Sequence, residues 1–282
     1  MSFGEAHAAG GPVDTHVHVF DPVRFPYAAS AAYQPAAHET ATARHLAALL
    51  SAHGMGGVVV VDPTSGYDGD SRCLLDALDT LGPVARGVVR WAPRGAPMRR
   101  HELARLRARG VAGVRVDCVA DGVDCLGTPG FDALVRSLAD LDLVLDVQCE
   151  RSQLRIAAPA LARAPTRNVV DHMGRPDLAL GAGDAGFRAL LDLVAQGRTC
   201  VKLSAPMRMS QAPGWIDVDP FVRALYDVRG PDALVWGSDW PFLRAESRTD
   251  YAPLLALLAR WIPDAEDRRR VLVDTPRTLF FG

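Results

Sequence analysis

The residues with the clearest capacity for chemistry lie in Val13-Asp14-Thr15-His16-Val17-His18-Val19. Side chains of an extended strand alternate with a period of two, so Val13, Thr15, Val17 and Val19 share one face and Asp14, His16 and His18 the other. Same-face neighbours are roughly 6.5–7 Å apart along a strand, close enough for two imidazoles to converge on one ion or small molecule. Alone, an HxH pair is equally well explained by histidines bonded to neighbouring carbonyls. Its weight comes from polar residues at the ends of later apolar runs: Arg115, Gln148, His172, Ser204 and Asp239. A carboxylate beside imidazoles can be a metal ligand or a general base that activates water.

Such residues need elements that bring them together, and composition bounds what those are. With 282 residues, 49% of them hydrophobic, the chain can bury one large core. A formal charge of −2, with arginines scattered rather than clustered with aromatics, argues against nucleic acid as a partner. No apolar run approaches the roughly 18 residues that a membrane span needs. Residues 1–12 form a small-residue tail, expected to be flexible, without the basic stretch and apolar centre of a signal peptide. A cytoplasmic protein is therefore expected. Cys73, Cys118, Cys125, Cys149 and Cys200 are odd in number and lack CxxC spacing, which predicts reduced, mostly packed thiols.

After the first strand, residues 21–35 carry prolines and the aromatics Phe25, Tyr27 and Tyr33 without periodicity, the mark of a long ordered loop of the kind that covers sites. Helical spacing over 40–53 ends at Gly54, Gly56 and Gly57, before the apolar run 58–61. The alternation repeats: a helix around 74–78, strand 87–91, helix 98–109, strand 113–117, helix 131–141, strand 143–148, helix 153–163 and strand 168–172. Helix 187–195, strand 200–204, helix 220–228, strand 234–239 and two helices near 251–261 and 265–273 complete the chain. Valine-rich runs, apolar on both faces and each followed by a helix, predict a single-domain (β/α)8 TIM barrel over 13–282. A doubly wound sheet is the competitor, but neither GxGxxG nor GxxxxGK follows the first strand.

In such a barrel, catalytic groups sit at the C-terminal strand ends, and strands one and eight are neighbours, which sets Asp239 beside His16 and His18. Alternation along strand six turns His172 to the mouth and Asp171 to the helix layer. Arg115 could instead be a barrel-interior ion pair with a neighbouring aspartate such as Asp117 or Asp146. Ser204 lacks the GxSxG elbow of a nucleophile.

The phrases VDTHVHVFDP, GVVVVDPTS, GVRVD, VVDHMGRPD, VKLSAPMRMS and VWGSDWPF resemble the amidohydrolase superfamily, in particular the group with 2-pyrone-4,6-dicarboxylate lactonase and sugar lactonases. The resemblance runs from Val13 to the C-terminus. It implies a (β/α)8 barrel and hydrolysis of a lactone or similar carboxylic ester, with Asp239 as general base, His16 and His18 lining it, and His172 polarising the substrate carbonyl. It further implies that Arg175, Arg115 and Arg208 hold an anionic substrate and that Tyr33 and Ser65 contact it. The chain departs from that lactonase in three ways. It has Gln148, also assigned to substrate binding, in place of a tyrosine, and Phe242 in place of a histidine, and it lacks an arginine in the loop after Val116.

Binuclear members need a bridging Lys or Glu from strand four and histidines from strands five and six. Arg115 and Gln148 stand there, and a guanidinium repels a cation while an amide is a poor substitute for imidazole. No metal or cofactor is expected. If one zinc is bound, His16, His18, His172 and Asp239 are its ligands. Three readings stay open: a metal-independent hydrolase of a carboxylated lactone, a metal-dependent amidohydrolase or decarboxylase, and an inactive ligand-binding paralogue, for which Gln148 and Phe242 are the hints. The partner in each is a small anionic molecule, and the oligomeric state is not legible.

Overall fold

Eight parallel strands run in the order β1 to β8: Val13–Val17, Gly57–Val61, Ala85–Arg90, Val111–Asp117, Val144–Gln148, Asn168–Val170, Thr199–Leu203 and Leu234–Trp236. The computed structural model describes residues 10–95 and 97–282. The seam between β8 and β1 closes through a Val17–Trp240 bridge, with His18 N donating to Trp240 O (2.8 Å) and Asp239 N to His16 O (2.9 Å). The expected TIM barrel is thus formed as a single domain.

The valine runs fill two layers. Val58 and Val60 of β2 face outward into the core shared with the helices, whereas Val59 and Val61 face inward. There they meet Val13, Val88, Val144, Val169 and Val235, joined at the barrel end opposite the strand C-termini by Leu279 and Phe280. Burial on both faces is what made these strands legible as continuous apolar runs.

The outer layer holds α1 (Ala43–Ala52), α2 (Arg72–Leu81), α3 (Arg100–Ala108), a short α4 (Cys118–Asp121), α5 (Pro129–Asp140), α6 (Gln153–Arg163), α7 (Ala185–Ala195) and α8 (Asp219–Arg229). Side-chain caps start several of them, because the first backbone N–H groups of a helix lack internal acceptors. Thr42 accepts from His45 N, Thr128 from Phe131 N, and Asp184 from Gly186 N and Phe187 N. After α9 (Tyr251–Trp261), helical turns continue from Ala265 through a π-turn at Arg270–Asp274 to Phe280, longer than the spacing predicted.

Of the expected tail, residues 1–9 lie outside the described part. Gly11 and Pro12 are not loose: Gly11 O accepts from Arg277 Nη2 (2.8 Å) and Pro12 O from Gly56 N (2.7 Å) and Gly57 N (3.0 Å). All five cysteines are free thiols, four of them buried. No helix among the described residues is long and apolar enough to cross a membrane.

Two local features correct the sequence reading. β1 shifts register between Asp14 and Val17, a β-bulge that reverses side-chain parity. Val13 points inward, Asp14 outward to the Tyr251 hydroxyl of α9 (3.0 Å), and after the bulge His16 and His18 point inward. Asp14 therefore does not share the histidines' surroundings; burial pushes its carboxyl up to about 6, against the hydrogen bonds from Ser238. The second feature is the early end of β6 at Val170. Val169 faces inward, so alternation turns Asp171 inward as well, not toward the helices. His172 adopts a left-handed conformation (φ 51°, ψ 40°) and so comes back to the same mouth.

Gly237 follows β8 where it presses on β1. A Cβ there would lie 2.7 Å from His16 Cβ and 3.0 Å from His16 N. We predict that Gly237→Ala costs about 1–3 kcal/mol of stability by overpacking this seam, read by urea unfolding. An unchanged midpoint would show that the seam yields freely.

Candidate active site

The C-terminal strand ends surround a cavity of about 270 Å³ lined by His18, Tyr33, Ser65, Arg115, Gln148, His172, Arg175, Arg208 and Asp239, with Thr64, Leu243 and Arg244 among the others. All residues given a catalytic or substrate-binding role from sequence line it except His16, which lies directly beneath. A larger recess of about 550 Å³ at the opposite barrel end has Arg86, Arg107 and Arg167 on its rim but no histidine, so the chemistry belongs to the smaller cavity.

Asp239 is the centre. It too is left-handed (φ 63°) and nearly inaccessible, a strained placement of the kind that clusters at functional sites. Three imidazoles surround its Oδ1: His18 Nε2 at 3.6 Å, His16 Nε2 at 3.8 Å and His172 Nε2 at 3.9 Å. Its Oδ2 accepts from Arg208 Nε at 2.8 Å. Burial works to raise the Asp239 carboxyl, but Arg208 and the histidines outweigh it and hold it well below the usual carboxylate range. The group is an ionised base with one oxygen committed and one facing the cavity. Burial keeps His16 well below the usual imidazole range and brings His172 down to about 4, so both are neutral near pH 7.

The second ring nitrogens carry the tautomer information. His18 Nδ1 lies 2.8 Å from Val61 O. A carbonyl only accepts, so His18 Nδ1 carries a proton, and in the neutral ring Nε2 is the lone pair. His172 Nδ1 meets Ser204 Oγ at 2.8 Å, and a hydroxyl serves either way. Ser204 thus orients the imidazole.

The arginines differ in how fully they are committed. Arg115 is buried, with Nε 3.1 Å from Asp171, Nη1 3.4 Å from Asp62 O and Nη2 bonded to Gln148 Oε1. The interior partner expected as Asp117 or Asp146 is thus Asp171. Asp117 instead caps α4, accepting from Val119 N and Ala120 N, and bonds Thr64. Arg175 meets Glu150 at 3.1 Å, and its buried Nε has no partner.

Three participants were not nominated from sequence. Lys202 of β7, wholly buried, reaches Asp146, Asp171 and His16. Burial would lower its pKa, but Asp146 and Asp171 raise it, so it is an ammonium. Its signal was available: Lys202 shares strand parity with Ser204. Arg244, in the loop after β8, lies 4.3 Å over the Tyr33 ring. Glu39 ties that loop to the β1 loop, accepting from Arg244 N (2.6 Å), Ala36 N (2.8 Å) and the Tyr33 hydroxyl. The long loop after β1 is ordered over the site as expected, pinned at its base by Phe20–Ala41 pairing and attached where Gly66 N donates to Tyr33 O (2.8 Å). Phe242 is half-buried and packs against the core.

His16, His18 and Asp239 offer ligand atoms within 4.8 Å of one another. With His172 they supply N and O donors that suit one zinc-sized cation. The bare Nε2 of His18 and the free Oδ1 of Asp239 fit that use.

A TIM barrel with histidines and an aspartate at its strand ends defines the amidohydrolase class, and comparison agrees. The amidohydrolase family profile matches residues 13–282, and the chain belongs to this family. It is 32% identical over 276 residues to the 4-sulfomuconolactone hydrolase of Rhizobium radiobacter, covering 96% of this chain and 90% of the relative. It is also 32% identical over 286 residues to the 2-pyrone-4,6-dicarboxylate hydrolase of Comamonas testosteroni, with the same coverage of 96% and 90%. Among solved structures, a probable 2-pyrone-4,6-dicarboxylic acid hydrolase from Acinetobacter baumannii with citric acid bound superposes with TM-score 0.85 at 24% identity, covering 96% of this chain and all (100%) of that one. An amidohydrolase from Burkholderia multivorans with bound zinc gives 0.78 at 23% identity, covering 96% and 99%. These two establish the fold. Both of these sequence relatives are lactone hydrolases, and the chain is a hydrolase of carboxylic-ester type.

Proposed function

We propose that this enzyme opens an anionic, carboxylated lactone resembling 2-pyrone-4,6-dicarboxylate, in the breakdown of aromatic or sugar acids, with water activated by Asp239 and without an obligatory metal ion. The observation that carries the reading is the placement of Asp239, whose Oδ1 faces the cavity among three imidazoles while arginines stand above it. Water gives a proton to Asp239 Oδ1 as its oxygen attacks the lactone carbonyl carbon. Negative charge gathering on the carbonyl oxygen is met by His172 and the neighbouring arginines. Collapse breaks the ring carbon–oxygen bond, and the proton held by Asp239 passes to the leaving oxygen. The product is an open-chain acid with one more carboxylate.

Arg175 and Arg208 line the β6–β7 side of the cavity and Arg244 the β8 side. The Arg244 guanidinium lies over the Tyr33 ring and makes no ion pair with a carboxylate among the described residues. Two cationic sides suit a substrate with two anionic groups, since a guanidinium fork matches a carboxylate. A single-zinc mechanism is the second reading, favoured by the convergence of His16, His18 and Asp239. When bound, such an ion would polarise the carbonyl or lower the pKa of water.

A panel of neutral, mono- and dicarboxylated lactones, assayed before and after chelator treatment, tests both parts. Dicarboxylated lactones are expected to be preferred, with activity surviving chelation. Arg175→Met is expected to raise KM for them about 10–100-fold, the loss of a charge-assisted hydrogen bond, and to leave neutral lactones little changed. Preference for neutral lactones would sink the anionic assignment. Activity lost with zinc and regained on its return would establish the second reading.

A further inference from the structure

Beneath Asp239 lies a buried cluster that the reaction above does not use: Lys202, Asp146 and Asp171, each with 0% exposure. Lys202 Nζ is 2.5 Å from Asp146 Oδ2, 2.8 Å from Asp171 Oδ1 and 3.0 Å from His16 Nδ1. An ammonium has no lone pair with which to accept, so toward His16 Nδ1 it can only donate. Asp171 Oδ1 is also 3.1 Å from His16 Nδ1, but neither Asp171 oxygen has a donor aligned for a hydrogen bond. The aligned partner of His16 Nδ1 is therefore one that can only donate.

We propose that Lys202 fixes His16 in the tautomer with its proton on Nε2, which makes His16 a hydrogen-bond donor to the attacking water rather than a metal ligand. The role given to the water rests on the proposed hydrolysis; the tautomer does not. His16 Nε2 is buried, has no partner, and is aimed at the space in front of Asp239 Oδ1, 3.8 Å away. At His18 the proton is on Nδ1, held there by Val61 O, so the neutral ring keeps its lone pair on Nε2. Water between these groups accepts from His16 Nε2–H, donates to Asp239 Oδ1 and His18 Nε2, and keeps one lone pair for the lactone carbonyl. With the other His16 tautomer, three acceptors would face a molecule with two protons. That same tautomer would offer His16 Nε2 to a cation as a ligand. Lys202 is thus a positioning residue that decides which role His16 takes.

Long-range proton–nitrogen NMR of the purified protein, labelled with nitrogen-15 in its histidine rings and assigned with His16→Gln, tests this without substrate. The expected result is a protonated Nε2 for His16 and a protonated Nδ1 for His18. In Lys202→Met the neighbour left to His16 Nδ1 is the Asp171 acceptor, so the proton should move to Nδ1. Zinc affinity, measured by chelator competition, should then rise about 10–100-fold, the scale of changes around metal ligands. kcat should fall about 10–100-fold with KM little changed, as for a lost proton-positioning contact. If Lys202→Met fails to fold because Asp146 is left as an unpaired buried acid, Lys202→Met combined with Asp146→Asn is measured instead. A bare His16 Nε2 in the wild-type protein overturns the proposal, whatever the variants do. So does a variant in which neither the tautomer nor the zinc affinity changes. Loss of the lactonase reading with the His16 tautomer as expected would leave the Lys202 assignment standing.

Discussion

Asp239→Asn is expected to lower kcat for lactone hydrolysis by about 1,000-fold or more, toward the upper end of the about 10²–10⁴ typical of a removed acid–base group. The amide is isosteric with the carboxylate but cannot take the proton of water. Its orientation follows from its neighbours. Arg208 Nε, 2.8 Å from Oδ2, can only donate, so the amide oxygen must face it and the NH2 must face the imidazoles. The bare His18 Nε2, 3.6 Å from Oδ1, can accept from that NH2. The fold should therefore survive. Because the variant removes an anion from among Arg208, Arg115 and Lys202, the site gains net positive charge, and binding of a carboxylated lactone should be unchanged or tighter. Stopped assays for turnover and calorimetry for affinity separate the two effects. Turnover within tenfold of wild type would remove Asp239 from the mechanism; turnover lost together with affinity would make it a binding residue.

Much of this arrangement was legible in the sequence, for reasons that also mark where legibility ended. β2 to β5 read cleanly because Val58–Val61 and similar runs are buried on both faces, and helices such as Tyr251–Trp261 because their apolar residues recur at helical spacing. His16, His18, His172 and Asp239 were found by their types at strand ends, and the barrel does bring them around one point. Parity failed where the backbone left regular geometry. The bulge in β1 separates Asp14 from His16, and the left-handed turn at His172 lets two consecutive residues, Asp171 and His172, both face inward. Neither departure involves a glycine or proline at the residue concerned, so no local punctuation announced it. Lys202 was missed for a different reason: a lysine inside an apolar strand looks like an interruption until Asp146 and Asp171 are seen to neutralise it. The Arg208 contact with Asp239 was hidden too, because sequence gave the arginine a substrate partner and could not show that it already had a protein one.

That contact changes what Arg208→Met should do. An arginine that served substrate alone would, on removal, raise KM for carboxylated lactones and leave neutral ones untouched. Arg208 also holds the Asp239 carboxyl ionised: burial raises that pKa, and Arg208 is the strongest of the groups that bring it well below the usual range. The sign follows directly. A base with a depressed pKa stays active above the ordinary carboxylate value and is lost only as pH falls through the depressed one, so wild-type kcat/KM should be flat from neutral well into acid. With Arg208 gone, burial is less opposed and the acid limb should move upward by about one pH unit or more, the scale of shift produced by a nearby opposite charge. The limb should move for neutral and carboxylated lactones alike, since it belongs to the base. On top of it, KM for the carboxylated substrate should rise about 10–100-fold from the lost charge-assisted contact, a rise that persists at pH 8, where the base is ionised in both proteins. Arg175→Met, whose guanidinium meets Glu150 at 3.1 Å and not Asp239, should show the KM effect without the shifted limb. If the Arg208→Met profile keeps the wild-type acid limb, the arginine is a substrate contact only, and the depression of Asp239 must come from its histidines. If both variants shift the limb equally, what tunes the base is the summed charge of the cavity rather than the Arg208–Asp239 pair.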